Sequence, residues 1–263
     1  MDRTVNAIDV KALSLRIGGN AILDDVSFAV APGEWLSIIG PNGAGKTSLL
    51  KCLNRIHRAF SGTVRIHGHA HADLSQRDLA RHVAYVPQAD ARHFGFTARE
   101  FGLLARYPHL SPFSNVKQAD RDAADAGLRA MGCDAFADRS MATLSGGERQ
   151  KVILAAAIAQ GASILLLDEP TTFLDYRHQV EIATRLRELH AEGNVTIVAV
   201  THDVSQAISE SDRILALREG CRVFCDTAAA LIEGDTLDAI FDTTFERLRS
   251  STGPVLIPRG SPQ

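Results

Sequence analysis

The chain has 263 residues, of which 45% are hydrophobic, and it carries a formal net charge of −3. This length suffices for one large domain or for a core with an inserted subdomain, and the scattered Lys and Arg residues weigh against nucleic acid as the main partner. The apolar runs are shorter than the roughly 20 residues of a membrane span, and the N-terminus, Met1-Asp2-Arg3-Thr4, lacks an apolar signal segment, so a cytoplasmic protein is predicted.

Strands and turns dominate the first third of the chain. Apolar residues that alternate or run continuously indicate strands, and Gly, Pro and Asn indicate the turns between them. The predicted elements are strands over 10–15 and 26–30 with a turn at Gly18-Gly19-Asn20, a buried strand at Leu36–Ile39, a helix opened by Lys46, a strand at Thr63–Ile66 after Gly62 ends the helical region, a helix over 73–82 and a strand at Val83–Val86.

The middle of the chain, residues 89–160, is predicted to be a mainly helical insertion. Thr97 and Glu100 have the spacing of a capping box, and the helix that follows is expected to run to about Tyr107, where Pro108 stops it. A second helical pattern covers residues 117–131.

Alternating strands and helices resume after the insertion. The predicted elements are a strand at Ser163–Leu167, a helix over 176–192 ending at Gly193, a strand at Val195–Val200, a helix at Val204–Glu210, strands at Ile214–Leu217 and Arg222–Phe224 about a turn at Gly220, and a helix over 235–249. Residues 251–263 contain several Gly and Pro residues, and we expect them to form a loosely held tail.

The cysteines and one histidine cluster are interpreted as structural. The four cysteines form no C-x-x-C pair, and Cys221 and Cys225 fit hairpin packing better than a metal site. Alternation would put His67, His69 and His71 on one strand face, but no cysteine or carboxylate cluster nearby completes a metal site.

A glycine-rich segment follows the predicted strand Leu36–Ile39 and fits the pattern G-x-x-x-x-G-K-[ST]. Such a loop points backbone N–H groups at phosphates, and the helix after it adds its positive N-terminal end. We expect Lys46 to reach the β- and γ-phosphates of ATP and the Thr47 hydroxyl to ligate Mg²⁺. The predicted nucleotide-binding segment comprises Gly40, Pro41, Asn42, Gly43, Ala44, Gly45, Lys46, Thr47 and Ser48.

Two carboxylates follow the fully apolar run Ile164–Leu167. Such a run is typical of a central parallel strand, and ligands bind at the carboxyl ends of those strands. Asp168 is predicted to hold Mg²⁺ through water, and Glu169 to act as the general base or to orient the attacking water. The alternative is that Asp168 and Glu169 are solvated acids at the end of a strand. It is less favoured because the chain also contains a phosphate loop.

A second capping box is predicted at the start of a helix that Gly161 can end. This box consists of Ser145, Gly146, Gly147 and Glu148. Unpaired N–H groups and two glycines at a helix N-terminus favour an anion site, although an ordinary capped helix has the same pattern.

The segment Leu144-Ser145-Gly146-Gly147-Glu148-Arg149-Gln150 resembles the signature of ABC transporter ATPases, and the resemblance covers about residues 7–230. Further motifs occur in the order of this family. Gln88 after Val86-Pro87 resembles the Q-loop, Leu174-Asp175 the D-loop, and His202 the switch histidine.

The resemblance implies an α/β fold, namely a P-loop NTPase (RecA-like) core with an N-terminal antiparallel β subdomain and an inserted helical subdomain. It implies an ATPase domain over residues 1–230, in which 89–160 form the helical signature subdomain, and a C-terminal helix and loose tail over 231–263.

The resemblance also implies a homodimer that binds each ATP between two subunits. Ser145, Gly146 and Gly147 of one subunit would lie at the γ-phosphate bound by the partner subunit's Lys46, and Asp175 would link the two sites. ATP binding would close the dimer and hydrolysis would release it.

The roles of two further residues follow from the same resemblance. Gln88 would sense Mg²⁺ and the attacking water. His202 would hold the γ-phosphate and Glu169, the expected catalytic base.

A narrower resemblance, to the importers for iron–siderophore, haem and cobalamin, rests on two segments: Asp168-Glu169-Pro170-Thr171-Thr172-Phe173-Leu174-Asp175 followed by His178-Gln179, and Thr97–Glu100 followed by Arg106-Tyr107-Pro108-His109. It implies a peripheral ATPase subunit on the cytoplasmic face of the membrane. Its partners would be integral membrane permease subunits and, indirectly, a periplasmic or surface solute-binding protein. Residues near 90–115 would form the groove for a permease coupling helix.

Two other functions stay open at this point. One is a soluble ABC ATPase that acts in translation or DNA repair, although such proteins usually carry two ATPase units or a long coiled-coil insertion. The other is a nucleotide-binding regulator that hydrolyses little ATP, against which the intact Glu169 and His202 argue.

One position departs from the family pattern. The family usually has an aromatic residue near Ile17 that stacks on adenine, and Ile17 offers only apolar contact. The loss is up to roughly 1–3 kcal/mol if stacking there resembles that at other base-binding sites. Trp35 is expected to pack beside its strand rather than to replace the aromatic residue that stacks on adenine.

Overall fold

The computed structural model describes residues 5–88, 95–111, 115–233, 235–250 and 253–259. The chain divides into two compact units. Unit 1 comprises Met1–Asp73 and Thr196–Gln263, and unit 2 comprises Leu74–Val195. The predicted helical insertion, residues 89–160, falls within unit 2, and its boundaries as a subdomain stay a prediction.

Strands and helices alternate along the chain. In the described residues the strands are β1 (Ile8–Ile17), β2 (Asn20–Val30), β3 (Trp35–Ile39), β4 (Phe60–Ile66), β5 (His69–Ala70), β6 (Val83–Val86), β7 (Ile164–Asp168), β8 (Thr196–Val200), β9 (Arg213–Arg218), β10 (Cys221–Thr227), β11 (Phe245–Ser250) and β12 (Gly253–Pro258). The α-helices of the same residues are α1 (Lys46–Leu53), α2 (Gln76–His82), α3 (Ala98–Leu104), α4 (Gln118–Ala130), α5 (Gly146–Ala159), α6 (Tyr176–Ala191), α7 (Val204–Glu210), α8 (Ala228–Glu233) and α9 (Thr236–Phe241).

Unit 1 contains an antiparallel sheet with the strand order β2-β1-β4-β5. Ala12 lies at an irregularity in the pairing of β1 with β4, and it has a left-handed backbone with φ of 52°. A β-carbon on Gly62 would overlap the Ala12 carbonyl, so glycine is needed there. β4 begins at Phe60 and contains Gly62. The prediction that Gly62 ends the preceding helical region is therefore wrong.

Unit 1 also contains the hydrogen-bonded strands β10, β9, β3 and β8, in that order. β3 pairs in parallel with both β8 and β9, and Ile38 lies opposite Val200. Every residue of β3 and β8 is buried, as expected for parallel strands covered on both faces. The loops after β3 and β8 consequently leave the sheet at the same edge.

Unit 2 contains a parallel strand pair and a group of helices. β6 and β7 are in register with Val86 opposite Leu167, so the loops after them also begin side by side. The Arg106 side chain, which follows α3, joins the helices. It pairs with Asp120 of α4 at 3.3 Å and donates to the carbonyl of Ala159 at the end of α5 at 2.8 Å. A cation at a helix C-terminus offsets the negative end of the helix dipole.

Two helices of unit 2 are shorter than predicted. α2 begins at Gln76, because the Ser75 side chain caps it by accepting from the N–H of Asp78. α3 ends at Leu104 rather than near Tyr107, and a separate 3-10 turn follows at Tyr107–His109 with Pro108 inside it. Proline has no N–H to continue an α-helix, so the chain tightens there.

The C-terminal region differs most from the prediction. The helix predicted over 235–249 ends at Phe241, because Asp242 takes a left-handed conformation, and β11 follows. β11 pairs with β12, so described residues of the predicted loose tail form a strand. Leu256 of β12 is only 8% exposed and packs in the core of unit 1. Residues 251, 252 and 260–263 of that tail lie outside the described residues.

The cysteines and His71 occupy structural positions. All four cysteines are free, and Cys221 and Cys225 both lie on β10 of the β9–β10 hairpin. Burial raises the pKa of the Cys52 and Cys133 thiols to about 12. His71 is buried, with its Nε2 3.1 Å from the Leu53 carbonyl oxygen.

Candidate functional site

The predicted phosphate loop joins β3 to α1 in unit 1. Its backbone requires glycine at both ends. A β-carbon on Gly40 would overlap the carbonyl of Leu217, and one on Gly45 would lie 2.7 Å from the carbonyl oxygen of Ile22. Both glycines also have positive φ values, 143° and 95°. The loop therefore has a backbone conformation that other residues adopt only with strain.

Lys46 and the first turn of α1 form the cationic side of this loop. Lys46 is only 6% exposed, and its ammonium donates to the carbonyl oxygens of Gly40 at 2.7 Å and Pro41 at 2.9 Å. Thr47 and Ser48 follow in the first turn, which contains no acidic residue. No acidic residue within the first turn of α1 offsets the positive end of the helix, and the site suits an anion such as a phosphate.

His202 lies at the same sheet edge as the phosphate loop. It comes two residues after β8, which pairs with β3, and the Thr201 N–H donates to the Ile38 carbonyl at 3.2 Å. Asp203 caps α7 by accepting from the N–H of Gln206, so both neighbours of His202 are held in place. The His202 side chain itself is exposed.

Asp168 is a fully buried carboxylate of unit 2. It is 1% exposed, and the Tyr85 hydroxyl donates to its Oδ2 at 3.1 Å. Burial, followed by the negative charge of Asp168, raises the pKa of Tyr85. Tyr85 was not predicted as a site residue. It carries a polar hydroxyl within β6, whose other residues are apolar, and this contrast is the sequence signal that could have identified it.

Glu169 and Gln88, two predicted catalytic residues, are in direct contact. The Gln88 amide donates to Glu169 Oε2 at 2.8 Å, and the Thr172 hydroxyl donates to the same oxygen at 3.3 Å. Glu169 has φ of 52°, which is uncommon for a residue other than glycine. Such strained positions concentrate at functional sites. The carboxylate is therefore held by two donors on a constrained backbone.

The predicted signature segment starts α5 as a complete capping box. Glu148 accepts from the Ser145 N–H at 2.8 Å, and Ser145 Oγ accepts from the Glu148 N–H at 3.2 Å. The hydrogen bond from the Ser145 N–H is the main cause that lowers the pKa of Glu148. Nothing lies within 4 Å of a β-carbon built on Gly146, so this glycine faces open space.

Asp175, the predicted D-loop residue, caps α6. Its carboxylate accepts from the N–H of His178 at 2.9 Å, and this bond is the main cause that lowers the Asp175 pKa. The side chain of His178 bonds to the same carboxylate. The sequence had suggested no separate role for His178.

The residues considered for adenine contact have different environments. Ile17 is 44% exposed, whereas Trp35 is 2% exposed and therefore packs in the interior of unit 1, as expected. Ile17 stays the candidate for an apolar contact with a base.

Comparison with known proteins identifies the family. The sequence matches the ABC transporter family over residues 23–172, more than half of its length. The chain belongs to the ABC transporter family. Among its curated relatives, the iron(3+)-hydroxamate import ATP-binding protein FhuC of Bacillus subtilis (strain 168) is 36% identical over 242 residues, which cover 92% of this chain and 90% of FhuC. Other curated relatives are import ATP-binding proteins for haemin and cobalamin.

Solved ABC structures have the same fold. A chain of a metal-chelate type ABC transporter in an inward-facing conformation matches with a TM-score of 0.83 and 25% identity, over 96% of this chain and 97% of its own. The ATP-binding cassette MJ0796, in a dimeric post-hydrolysis state with ADP and Pi, matches with a TM-score of 0.72 and 27% identity, over 84% of this chain and 98% of its own.

These matches confirm the predicted family, the fold class and the ATPase activity of an ABC ATP-binding subunit. The curated relatives named above are import proteins, so the alternative of a soluble ABC ATPase in translation or DNA repair is not supported. None of the helices in the described part of the chain has the length and apolar character needed to cross a membrane. The roles of individual site residues stay predictions.

Proposed function

We propose that the chain is the ATP-hydrolysing subunit of an importer for an iron chelate, such as a siderophore or haem, or for cobalamin. It works as a homodimer on the cytoplasmic face of the membrane, beneath two permease subunits that receive substrate from a solute-binding protein. FhuC and the metal-chelate transporter support the iron chelate, and the MJ0796 dimer supports the homodimer.

The observation that carries the catalytic part is the contact between Gln88 and Glu169. In this proposal a water molecule attacks the γ-phosphate and gives up a proton to the Glu169 carboxylate. Gln88 orients that carboxylate and the water. His202 contacts the γ-phosphate and Glu169.

The remaining residues bind the nucleotide. Gly40–Ser48 surrounds the phosphates with N–H groups and the Lys46 ammonium. Thr47, Gln88 and Asp168 would hold Mg²⁺, which neutralises phosphate charge when bound. The second copy contributes Ser145, Gly146, Gly147 and Asp175.

The direct test is the Glu169→Gln variant, with Glu188→Gln as a matched control. Glu188 is exposed on α6 and pairs with Arg185 of the same helix. We expect Glu169→Gln to bind ATP, to lose turnover by about 10²-fold or more because the proton acceptor is gone, and to accumulate as a dimer in ATP. Turnover measured by phosphate release and mass measured by light scattering report these effects. Normal turnover in Glu169→Gln would remove Glu169 from its role.

Transport is tested with the subunit in its membrane complex. Cells that lack the chain should lose uptake of a labelled ferric chelate, and the wild-type chain should restore it, whereas Lys46→Ala should not. Restoration by Lys46→Ala, or unchanged uptake of ferric chelates, haem and cobalamin in the absence of the chain, would contradict the importer function.

A further inference from the structure

His178 on α6 connects the two segments that the proposed dimer uses. Its ring Nδ1 lies 2.9 and 3.0 Å from the two carboxylate oxygens of Asp175. An ionised carboxylate only accepts hydrogen bonds, so Nδ1 carries the proton and donates it. Because the backbone N–H of His178 also donates to Asp175, two donors fix the orientation of this otherwise exposed carboxylate.

The same imidazole ring covers Gly147 of the signature segment. A β-carbon built on Gly147 would overlap the ring atoms Cγ, Cδ2 and Nδ1 of His178. Glycine is therefore needed at position 147 for the ring to approach the backbone of α5. The ring is mostly buried, with a 21% exposed side chain.

A second contact holds the same two helices together about one turn further along each. Lys151 of α5 pairs with Glu181 of α6 at 2.9 Å, and Lys151 is only 9% exposed. The first two turns of α5 and α6 are thus joined at two successive positions, by the packing of a ring on a glycine and by an ion pair.

We propose that His178 is a positioning residue that holds Asp175 and the Gly147 backbone in one fixed arrangement. Both groups can then contact the second copy of the chain at the same time. The inference rests on the proposed function, in which Gly147 contacts the nucleotide of the other subunit and Asp175 crosses the interface. His178 touches neither ATP nor water in this role. Its loss affects dimer closure and turnover rather than the binding of ATP to one subunit.

The experiment compares His178→Ala with two variants that each keep half of the arrangement. His178→Asn retains a side-chain donor for Asp175 but no ring over Gly147, and His178→Phe retains a ring but no side-chain donor. The control is Arg187→Ala, because Arg187 is exposed on the same helix and bonds to Ala183 and Thr184 of α6.

We expect His178→Ala to lower kcat about tenfold, the effect of losing one hydrogen bond to a charged group. It should weaken ATP-dependent dimerisation in the Glu169→Gln background by a similar factor. The His178→Asn and His178→Phe variants should each have a lower kcat than the wild type, and Arg187→Ala should behave as the wild type. The dissociation constant for ATP of the monomer should change little, whereas a merely structural role would lower the melting temperature without lowering kcat at temperatures where the variant is folded.

Two outcomes would overturn the inference. One is a His178→Ala variant with wild-type kcat and dimerisation. The other is full activity in either the Asn or the Phe variant, since one contact would then suffice. If His178→Ala does not fold, the Asn and Phe variants decide. A wild-type chain without ATPase activity in its membrane complex would instead contradict the proposed function.

Discussion

At the scale of the residue, Tyr85 is the contact of Asp168 that the motifs do not include. The Tyr85 hydroxyl donates to Asp168 Oδ2 and so restricts the orientation of this carboxylate, much as outer-shell groups orient metal ligands. We expect Tyr85→Phe to raise the Mg²⁺ concentration needed for half-maximal ATPase activity by about tenfold. A titration of activity with Mg²⁺ at saturating ATP measures this. An unchanged Mg²⁺ requirement would show that Asp168 is oriented without Tyr85.

At the scale of the element, one side of β12 packs on the core cluster of unit 1, and Phe245 of β11 packs against the same cluster. Leu256 is 8% exposed in the core cluster, whereas its neighbour Val255 is 37% exposed. We expect Leu256→Ala to lower the free energy of unfolding by about 2–5 kcal/mol, because it leaves a cavity. Val255→Ala should change it by less than about 0.5 kcal/mol. Urea unfolding of both variants provides the measurement, and equal effects would mean that the hairpin is not packed on the core.

At the scale of the whole molecule, stability should fall as the pH is lowered. Burial, with a smaller effect of Arg55, lowers the pKa of His71 to about 4. The unfolded chain, with a His pKa near 6.5, therefore binds the proton first, and the free energy of unfolding decreases between about pH 6.5 and pH 4. Carboxylates with lowered pKa values, which add losses at lower pH, are Glu100, Asp120, Glu148, Asp175 and Glu181 of unit 2.

His71→Gln isolates the histidine contribution, because the Gln amide can donate to the Leu53 carbonyl without titrating. Between pH 7 and pH 5 the wild type should lose about 2 kcal/mol more than this variant. Urea unfolding at the two pH values gives the comparison. Parallel losses in the two proteins would mean that His71 is protonated in the folded state at pH 5.

The sequence by itself determined the features that depend on neighbours in the chain. Both capping boxes, at Thr97 and at Ser145, use residues three apart and formed as predicted. The phosphate loop lies between a buried strand and a helix, as its pattern indicated. The order of the motifs was also sufficient to identify the family.

Only the tertiary structure decided contacts between distant residues. Tyr85 meets Asp168 across 83 positions of sequence, and Gln88 meets Glu169 across 81, because β6 and β7 pair in parallel. The covering of Gly147 by His178 likewise depends on helix packing. In the C-terminal region, Leu237, Ile240, Phe241 and Phe245 have helical spacing, yet the left-handed Asp242 and the pairing of β11 with β12 produce a hairpin. Local propensity is worth less than about 1 kcal/mol per residue, so packing and strand pairing override it.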